Sequence, residues 1–296
     1  MYPRWYWRAF ASPGLLWLVL FVVVPTYAVL AVAMGSENPL QQPVPAWNPA
    51  QWNIGYLNLA INSVVPGGVY WNSVINTFAY VLISLASCLL IGYPVAYYIA
   101  RHAGRTKGLL LVLLILPFWV SYLMRMLAWI GLLLPDGYVN RLLAPSGLVS
   151  SQHLWLNGQA SSVIWALVYG YIPYLILPLY AALDRIDRSH LEAARDLGAS
   201  PFRAFIHVTL PLSMQGILAG SVLITLPMFG DYYTNDLISA SPNTNMIGNT
   251  INLLVQGGPQ KALGASLVLI MYVFLMVLMS YYLYATARAT LRQQAE

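Results

Sequence analysis

Charge is what this 296-residue chain has least of: Asp, Glu, Lys and Arg together make up 8% of it, against about a quarter in soluble domains. With 59% of residues hydrophobic, a soluble globular domain is excluded, because no soluble core absorbs that much apolar surface. Cysteine is almost missing as well. Cys88 stands alone in mid-span, cannot form an internal disulfide, and reads as packing. No G-x-x-x-x-G-K-[ST] run occurs, so a phosphate cradle for a nucleotide must belong to another chain. His102, His153, His190 and His207 lie in loops with no metal-ligand spacing and no nucleophile beside them, which gives neither a catalytic nor a metal site and argues against a membrane enzyme. An internal repeat is also lacking, as are mid-membrane acids for proton or sodium coupling; both absences argue against a self-sufficient secondary transporter or channel.

What is present is a succession of long apolar runs. Windows near the roughly 20 residues of a spanning helix fall at Pro13–Met34, Val74–Ala100, Gly108–Leu134, Ala160–Leu183, Leu212–Leu237 and Ala262–Ala287. The fold class expected is therefore an all-α membrane protein of six transmembrane helices. Arg4 and Arg8, then Arg101, Arg105 and Lys107, then Arg185, Arg188, Arg195 and Arg203, then Arg288 and Arg292 all fall on one side of this arrangement. Only Arg141 and Lys261 fall on the other, with Arg125 inside a span. By the positive-inside rule both termini, the second loop and the loop between spans 4 and 5 are cytoplasmic, which predicts a multi-pass membrane protein. The net charge of +5 is thus an orientation signal; the partner it implies is membrane lipid, with no nucleic acid. Arg4 and Arg8 ahead of a run ending in Ala31-Val32-Ala33 also fit a cleaved secretory signal, but the run exceeds a signal's apolar core and is expected to stay as the first helix.

Residues 1–71 are expected to form an N-terminal transmembrane helix and an external loop, and 72–296 a core of spans 2–6. The external segment from Gly35 to Asn72 carries Pro39, Pro43, Pro45, Pro49 and Pro66, which argue against a long helix there, and Trp47, Trp52 and Trp71, which suit headgroup level. Prolines also interrupt the spans, at Pro25, Pro94, Pro117, Pro173, Pro178 and Pro227, and each removes a donor that other helices or water must replace. Gly216-x-x-x-Gly220 in the fifth window permits a close helix approach, either to another subunit or within the chain.

The loop between the fourth and fifth windows is the most specific stretch. Ser189-His190-Leu191-Glu192 reads as a capping box that starts a short helix. Leu197 ends it, and Gly198 is free to take the left-handed conformation that closes a helix. Ser200 caps a second helix with Pro201 in its first turn. Two short helices meeting at a glycine corner are predicted, with Ala193 and Ala194 leaving the first flat enough for a partner surface, while Leu191 and Phe205 hold it to the bundle.

Glu192-Ala193-Ala194, three residues, Gly198, nine residues and Val208-Thr209-Leu210-Pro211 resemble the cytoplasmic loop by which permease subunits of bacterial ABC importers grip their ATPase; Val208 stands where that family usually has Ile. The resemblance implies that Glu192, Ala193, Ala194, Gly198, Leu210 and Pro211 form the ATPase-coupling element. It also implies partners: two copies of an ATP-binding subunit, a second permease and an extracytoplasmic substrate-binding protein. No cofactor is expected in this chain, ATP and magnesium being bound by the ATPase. Ile91-Gly92-Tyr93-Pro94-Val95-Ala96, Leu116 through Arg125, Ala128-Trp129, Ile186-Asp187 and Ile247-Gly248-Asn249 look like the spermidine/putrescine importer permeases, with the match running over roughly residues 72 to 285. Permeases for iron, sulfate and related cargo share some of these blocks.

A cationic cargo has candidate partners. At 1.5 Å per residue Asp231 and Asp236 lie about 29 and about 36 Å along a helix started at Leu212, near the outer mouth. On a regular helix they point about 140° apart, and they face one pore only if Pro227 or Gly230 breaks it. Tyr232, with Trp119, Tyr122 and Trp129 on the third span, offers ring faces to ammonium groups; the alternative is a solvated loop and an interfacial aromatic belt. Arg125, about 25 Å along the third span by the same rise, is expected to pair with Asp231 or Asp236 as an outer gate.

Overall fold

A computed structural model of the chain describes residues 4–40, 42–147, 150, 153–239, 241–257 and 260–295. Four unbroken helices are long and apolar enough to cross a membrane: Phe10–Ala33, Trp71–Arg101, Ala160–Arg185 and Lys261–Tyr284. Two bent pairs pass the same test as units, Gly104–Trp119 with Tyr122–Leu133 and Pro201–Leu212 with Met214–Phe229, giving up to six spans in an all-α membrane protein. The strands among the described residues are the two-residue pair Ser36–Glu37 and Pro43–Val44. The chain divides into two compact units, Met1–Trp71 with Thr250–Met276, and Asn72–Asn249 with Val277–Glu296.

In the first unit, the apolar helix Phe10–Ala33 is exposed along most of its length and buries only Ala31 and Ala33. Its five-residue π segment Val19–Val23 lies directly ahead of Pro25, whose ring nitrogen has no N–H to donate and whose bulk opposes a regular turn. Small residues make the contacts of this unit. Ala33 packs with Ala265 and Leu269, and Ala60 with Leu263 and Leu267. The segment after the first span is ordered by its own polar side chains. Asn48 accepts from the Ala50 amide and Asn53 from the Gly55 amide, which starts a ten-residue helix Gly55–Val64 in the stretch between Pro49 and Pro66. The Trp52 indole donates to the Ala46 carbonyl at 3.0 Å.

In the second unit, the buried positions Thr77, Val81, Ser84, Cys88, Gly92, Ala96 and Ile99 recur every three or four residues along Trp71–Arg101 and form one narrow face. That face lies on Ala160–Arg185. Ser84 donates to the Ile164 carbonyl, the Cys88 thiol approaches the Val168 carbonyl at 3.8 Å, and a Cβ at Gly92 would meet Ile176 at 3.2 Å. Ala160–Arg185 then meets Met214–Phe229 through the glycine pair. A Cβ at Gly216 would stand 2.4 Å from the Ala182 Cβ, and one at Gly220 2.8 Å from Leu175. The G-x-x-x-G stripe therefore packs within the chain.

Two windows read as straight helices are broken. The third turns by 89° between Trp119 and Tyr122. Pro117 closes a 3₁₀ turn, Val120 is extended, and the Ser121 hydroxyl accepts from the Met124 amide to start a new helix. Arg125 thus sits in the first turn of a second helix, and a rise counted from Gly108 does not place it. The fifth window, expected to run to Leu237, stops at Phe229; Gly230 is its C-cap and Tyr233–Ile238 is a separate helix. Asp231 and Asp236 consequently lie off the long helix, in different settings.

Candidate functional site

The loop after Ala160–Arg185 has the expected form with a different cap. Asp187, two residues ahead of Ser189, accepts from the Ser189 amide at 3.1 Å and starts the helix Arg188–Asp196. That hydrogen bond holds the Asp187 carboxyl below its ordinary pKa, so the charged cap persists above the ordinary carboxylate range and is lost only as pH falls through the lowered value. An Asp side chain reaches its own second-next amide readily, which is why it displaces Ser189 from the cap. At the other end Gly198 has φ +81°, its amide donates to Arg195 and the Ala199 amide to Ala194, the paired bonds of a Schellman closure. Ser200 accepts from the Arg203 amide at 3.3 Å and caps the next helix, which carries Pro201 in its first turn and passes through a π segment, Phe205–Thr209, into Leu210 and Pro211.

Glu192, Ala193 and Gly198 are exposed on this loop, and Ala194 is half-buried. Leu197 is also exposed. The anchoring side is aromatic: Phe205 meets Tyr93 and Tyr97 edge-on at 5.7 and 6.1 Å, and the Tyr93 hydroxyl bonds Ser213 at the bend into Met214–Phe229. A rigid joint therefore connects the exposed helix to the spans on both sides, directly to Ala160–Arg185 and through Pro201–Leu212 to Met214–Phe229. Beside it, Lys107 pairs with Asp184 at 2.7 Å and covers the Tyr180 ring. Both charges are part-exposed, and such a pair contributes about 0–1 kcal/mol.

Midway along Ala160–Arg185, where Met214–Phe229 ends, lies a cavity of about 330 Å³, lined by Arg125, Asp231 and tyrosines that include Tyr122, Tyr171, Tyr174, Tyr232 and Tyr233. Asp231 is only 8% exposed and, among the described residues, meets no cation. Its Oδ2 accepts from the hydroxyls of Tyr171 at 3.0 Å, Tyr122 at 3.3 Å and Thr234 at 2.8 Å, while Oδ1 accepts the Thr234 amide at 2.9 Å. Tyr122 also bonds the Thr234 hydroxyl. With one proton on each hydroxyl, Tyr122 and Thr234 cannot both donate to Asp231 while bonding each other, so Asp231 takes the Tyr171 hydroxyl, the Thr234 amide and one of these two hydroxyls at a time. The approach of Tyr122 depends on Gly170, where a Cβ would stand 2.9 Å from the Tyr122 ring.

The expected charge pair is not formed. Lys107–Asp184 is the ion pair recorded among the described residues, and Arg125 instead places its guanidinium over Phe118 at 4.5 Å, Tyr122 at 5.4 Å and Tyr169 at 6.0 Å. Its Nε is buried without a hydrogen-bond partner. Hydroxyl donors already fill Oδ2 of Asp231, and the guanidinium lies over aromatic rings that attract it but leave its hydrogen-bonding fork without an anion. Asp236 is not part of the cavity; it is exposed and accepts from Asn249 at 2.7 Å. Trp119 is 80% exposed, and Trp129 packs edge-on against Tyr169 at 5.3 Å in an apolar cluster around Met126. The 89° turn separates Trp119 from the cavity wall that Tyr122 joins, while Trp129 lies two turns further along the Tyr122–Leu133 helix, outside the cavity lining.

Sequence reasoning missed Tyr171, Tyr174 and Thr234. The two tyrosines stand three apart around Pro173, a spacing that puts both on one face of a helix. Asn249 was noticed only as part of a block. Its amide donates to the Tyr232 carbonyl at 2.8 Å and to Asp236, its oxygen accepts from Met246 and Asn235, and a Cβ at Gly248 would stand 2.8 Å from the Asp231 carbonyl. This network fixes the backbone that carries Asp231.

Residues 89–291 match the family described as binding-protein-dependent transport system inner membrane component. The chain is 37% identical over 238 residues to the spermidine/putrescine transport system permease protein PotB of Haemophilus influenzae, a match spanning 79% of this chain and 78% of that protein. It is 33% identical over 237 residues to PotB of Escherichia coli, spanning 80% and 82%. Among solved structures it is similar in fold to a chain of a bacterial ABC transporter involved in the import of the acidic polysaccharide alginate, with a TM-score of 0.71 at 17% identity over 96% of both chains.

Proposed function

We propose an ATP-driven importer of polyamines, because this chain belongs to the family of binding-protein-dependent transport system inner membrane components. In this reading the chain is one permease subunit and supplies half of the translocation pathway. The relatives from Escherichia coli and Haemophilus influenzae, 33% and 37% identical to it over about four fifths of its length, are named as spermidine/putrescine permeases, which supports polyamine cargo. The observation that carries the reading in the chain itself is Asp231, a buried carboxylate that accepts from tyrosine hydroxyls and, among the described residues, has no cation beside it, at the wall of a tyrosine-lined cavity. An alkylammonium supplies the missing positive charge, and the ring faces suit both its head and its methylenes.

The remaining parts follow from the same reading. Residues 72–296 are the core permease portion, and both termini and the Arg188–Asp196 helix face the cytoplasm, as the arginine distribution requires. Glu192, Ala193, Ala194 and Gly198 form the surface on which an ATP-binding subunit docks, with Leu210 and Pro211 on the helix that carries its motion into the membrane. ATP and magnesium belong to that subunit, present in two copies, and a second permease and an extracytoplasmic binding protein complete the system. Co-expression with the genes for such partners tests this composition. A tag on this chain should recover one second permease and two ATPase copies per complex by native mass spectrometry; a homogeneous species of this chain alone that moves putrescine would overturn it.

A further inference from the structure

We infer that the tyrosine-lined cavity accepts amines that carry an acid group at the other end, so that this permease passes ω-amino acids as well as polyamines. The inference rests on the cavity's being part of the cargo path. Two opposite charges line one cavity of about 330 Å³ without touching: Asp231, which among the described residues has no cation, and Arg125, which among them has no anion. Each is 8% exposed. An unpaired buried charge is costly in a membrane protein and marks a place where something else supplies the partner.

The capacity of each group defines the ligand. A carboxylate offers about four acceptor positions. At Asp231 two hydroxyl protons at a time fill Oδ2 and the Thr234 amide takes one position on Oδ1, so one position on Oδ1 is left for a single ammonium. Arg125 holds its guanidinium over Phe118 and Tyr122 with Nε unpartnered, and its planar fork suits a carboxylate with two parallel bonds. Tyr122 stands between the two sites, its ring beneath the cation and its hydroxyl on the anion. A dication such as putrescine satisfies Asp231 with one end but must keep its other end away from Arg125. Replacing that second ammonium by a carboxylate, as in 4-aminobutanoate, removes the repulsion and neutralises both protein charges.

The test uses the purified permease–ATPase complex without the binding protein, so that capture by that protein does not select the ligand. Ligand-observed NMR titrations compare 4-aminobutanoate, putrescine and butylamine, which has the ammonium and no second charge. Binding of 4-aminobutanoate should be tighter than that of butylamine by about tenfold or more, the worth of a charge-assisted pair. Arg125→Gln should erase this advantage while leaving butylamine binding in place, and Arg125→Lys should restore part of it. If 4-aminobutanoate binds no better than butylamine in the wild-type complex, the inference fails even should a variant not fold. Binding of putrescine alone then leaves the polyamine reading standing, whereas no binding by any of the three removes this cavity from the cargo path altogether.

Discussion

Gly198→Val is expected to abolish cargo-stimulated ATP hydrolysis while the chain still inserts and accumulates in the membrane. Gly198 adopts φ +81°, and a Cβ there would meet no atom within 4 Å. Its effect is therefore purely conformational: a β-branched residue in the left-handed region costs about 1–2 kcal/mol, and the alternative is to open the closure formed by the Gly198 and Ala199 amides. The loop helix would then leave the angle at which it presents Glu192 and Ala193. Nothing in the apolar core is touched, so insertion is spared. Asn tolerates the left-handed conformation best after glycine, so Gly198→Asn should recover much of the stimulation. Glu192→Ala should weaken ATPase retention without disturbing the helix start, because Asp187 and not Ser189 is the cap. Full stimulation in the valine variant would reduce the loop to a linker.

Asp231→Asn should lower putrescine uptake by more than about tenfold, as expected when one partner of a charge-assisted contact is removed. The replacement keeps the shape and, with its one oxygen at the Oδ1 position, the acceptor for the Thr234 amide, while its NH2 replaces Oδ2 and must donate to the Tyr171, Tyr122 and Thr234 hydroxyls that donated to the carboxylate. The loss is of charge and of one acceptor, with the fold of the cavity kept. Co-purification with the ATPase should be unaffected, since Tyr171 stands about 21 Å along the Ala160–Arg185 helix from the end that carries the Arg188–Asp196 loop. Asp236→Asn is the contrast. Its carboxylate is exposed and outside the cavity, so uptake should stay close to that of the wild type. Equal losses in the two variants would mean that a general negative potential at this end, and not the tyrosine cavity, attracts the cargo.

The loop was legible because its determinants are local. Ser200, Pro201 and Gly198 each act within four residues of themselves, and the structure places them as their chemistry dictates. Even there Asp187 took the cap, since an acid two residues ahead of Ser189 competes for the same amides. The cavity was half legible. Asp231, Tyr122, Tyr232 and Arg125 were recognisable as polar or aromatic groups in apolar surroundings, and Gly230 was marked as a possible break. Their pairing was not, because the donors that occupy Asp231 come from Tyr171, 60 residues away, and Tyr122, 109 away. Trp119 and Trp129 fall outside the cavity for different reasons. Pro117 and Ser121 turn the chain by 89° between Trp119 and Tyr122, whereas Trp129 stays on the Tyr122 helix and is taken up by packing on Tyr169.

The central claim is that this chain moves a polyamine by drawing on ATP hydrolysed in a partner through the Glu192–Gly198 loop. Vesicles holding the assembled importer test it directly when labelled putrescine and the binding protein are supplied on one face and ATP with magnesium on the other, with all ion gradients collapsed. The account predicts accumulation against a putrescine gradient that requires ATP and is lost with Gly198→Val. Accumulation driven by a proton or sodium gradient without ATP, and unchanged by Gly198→Val, would contradict it.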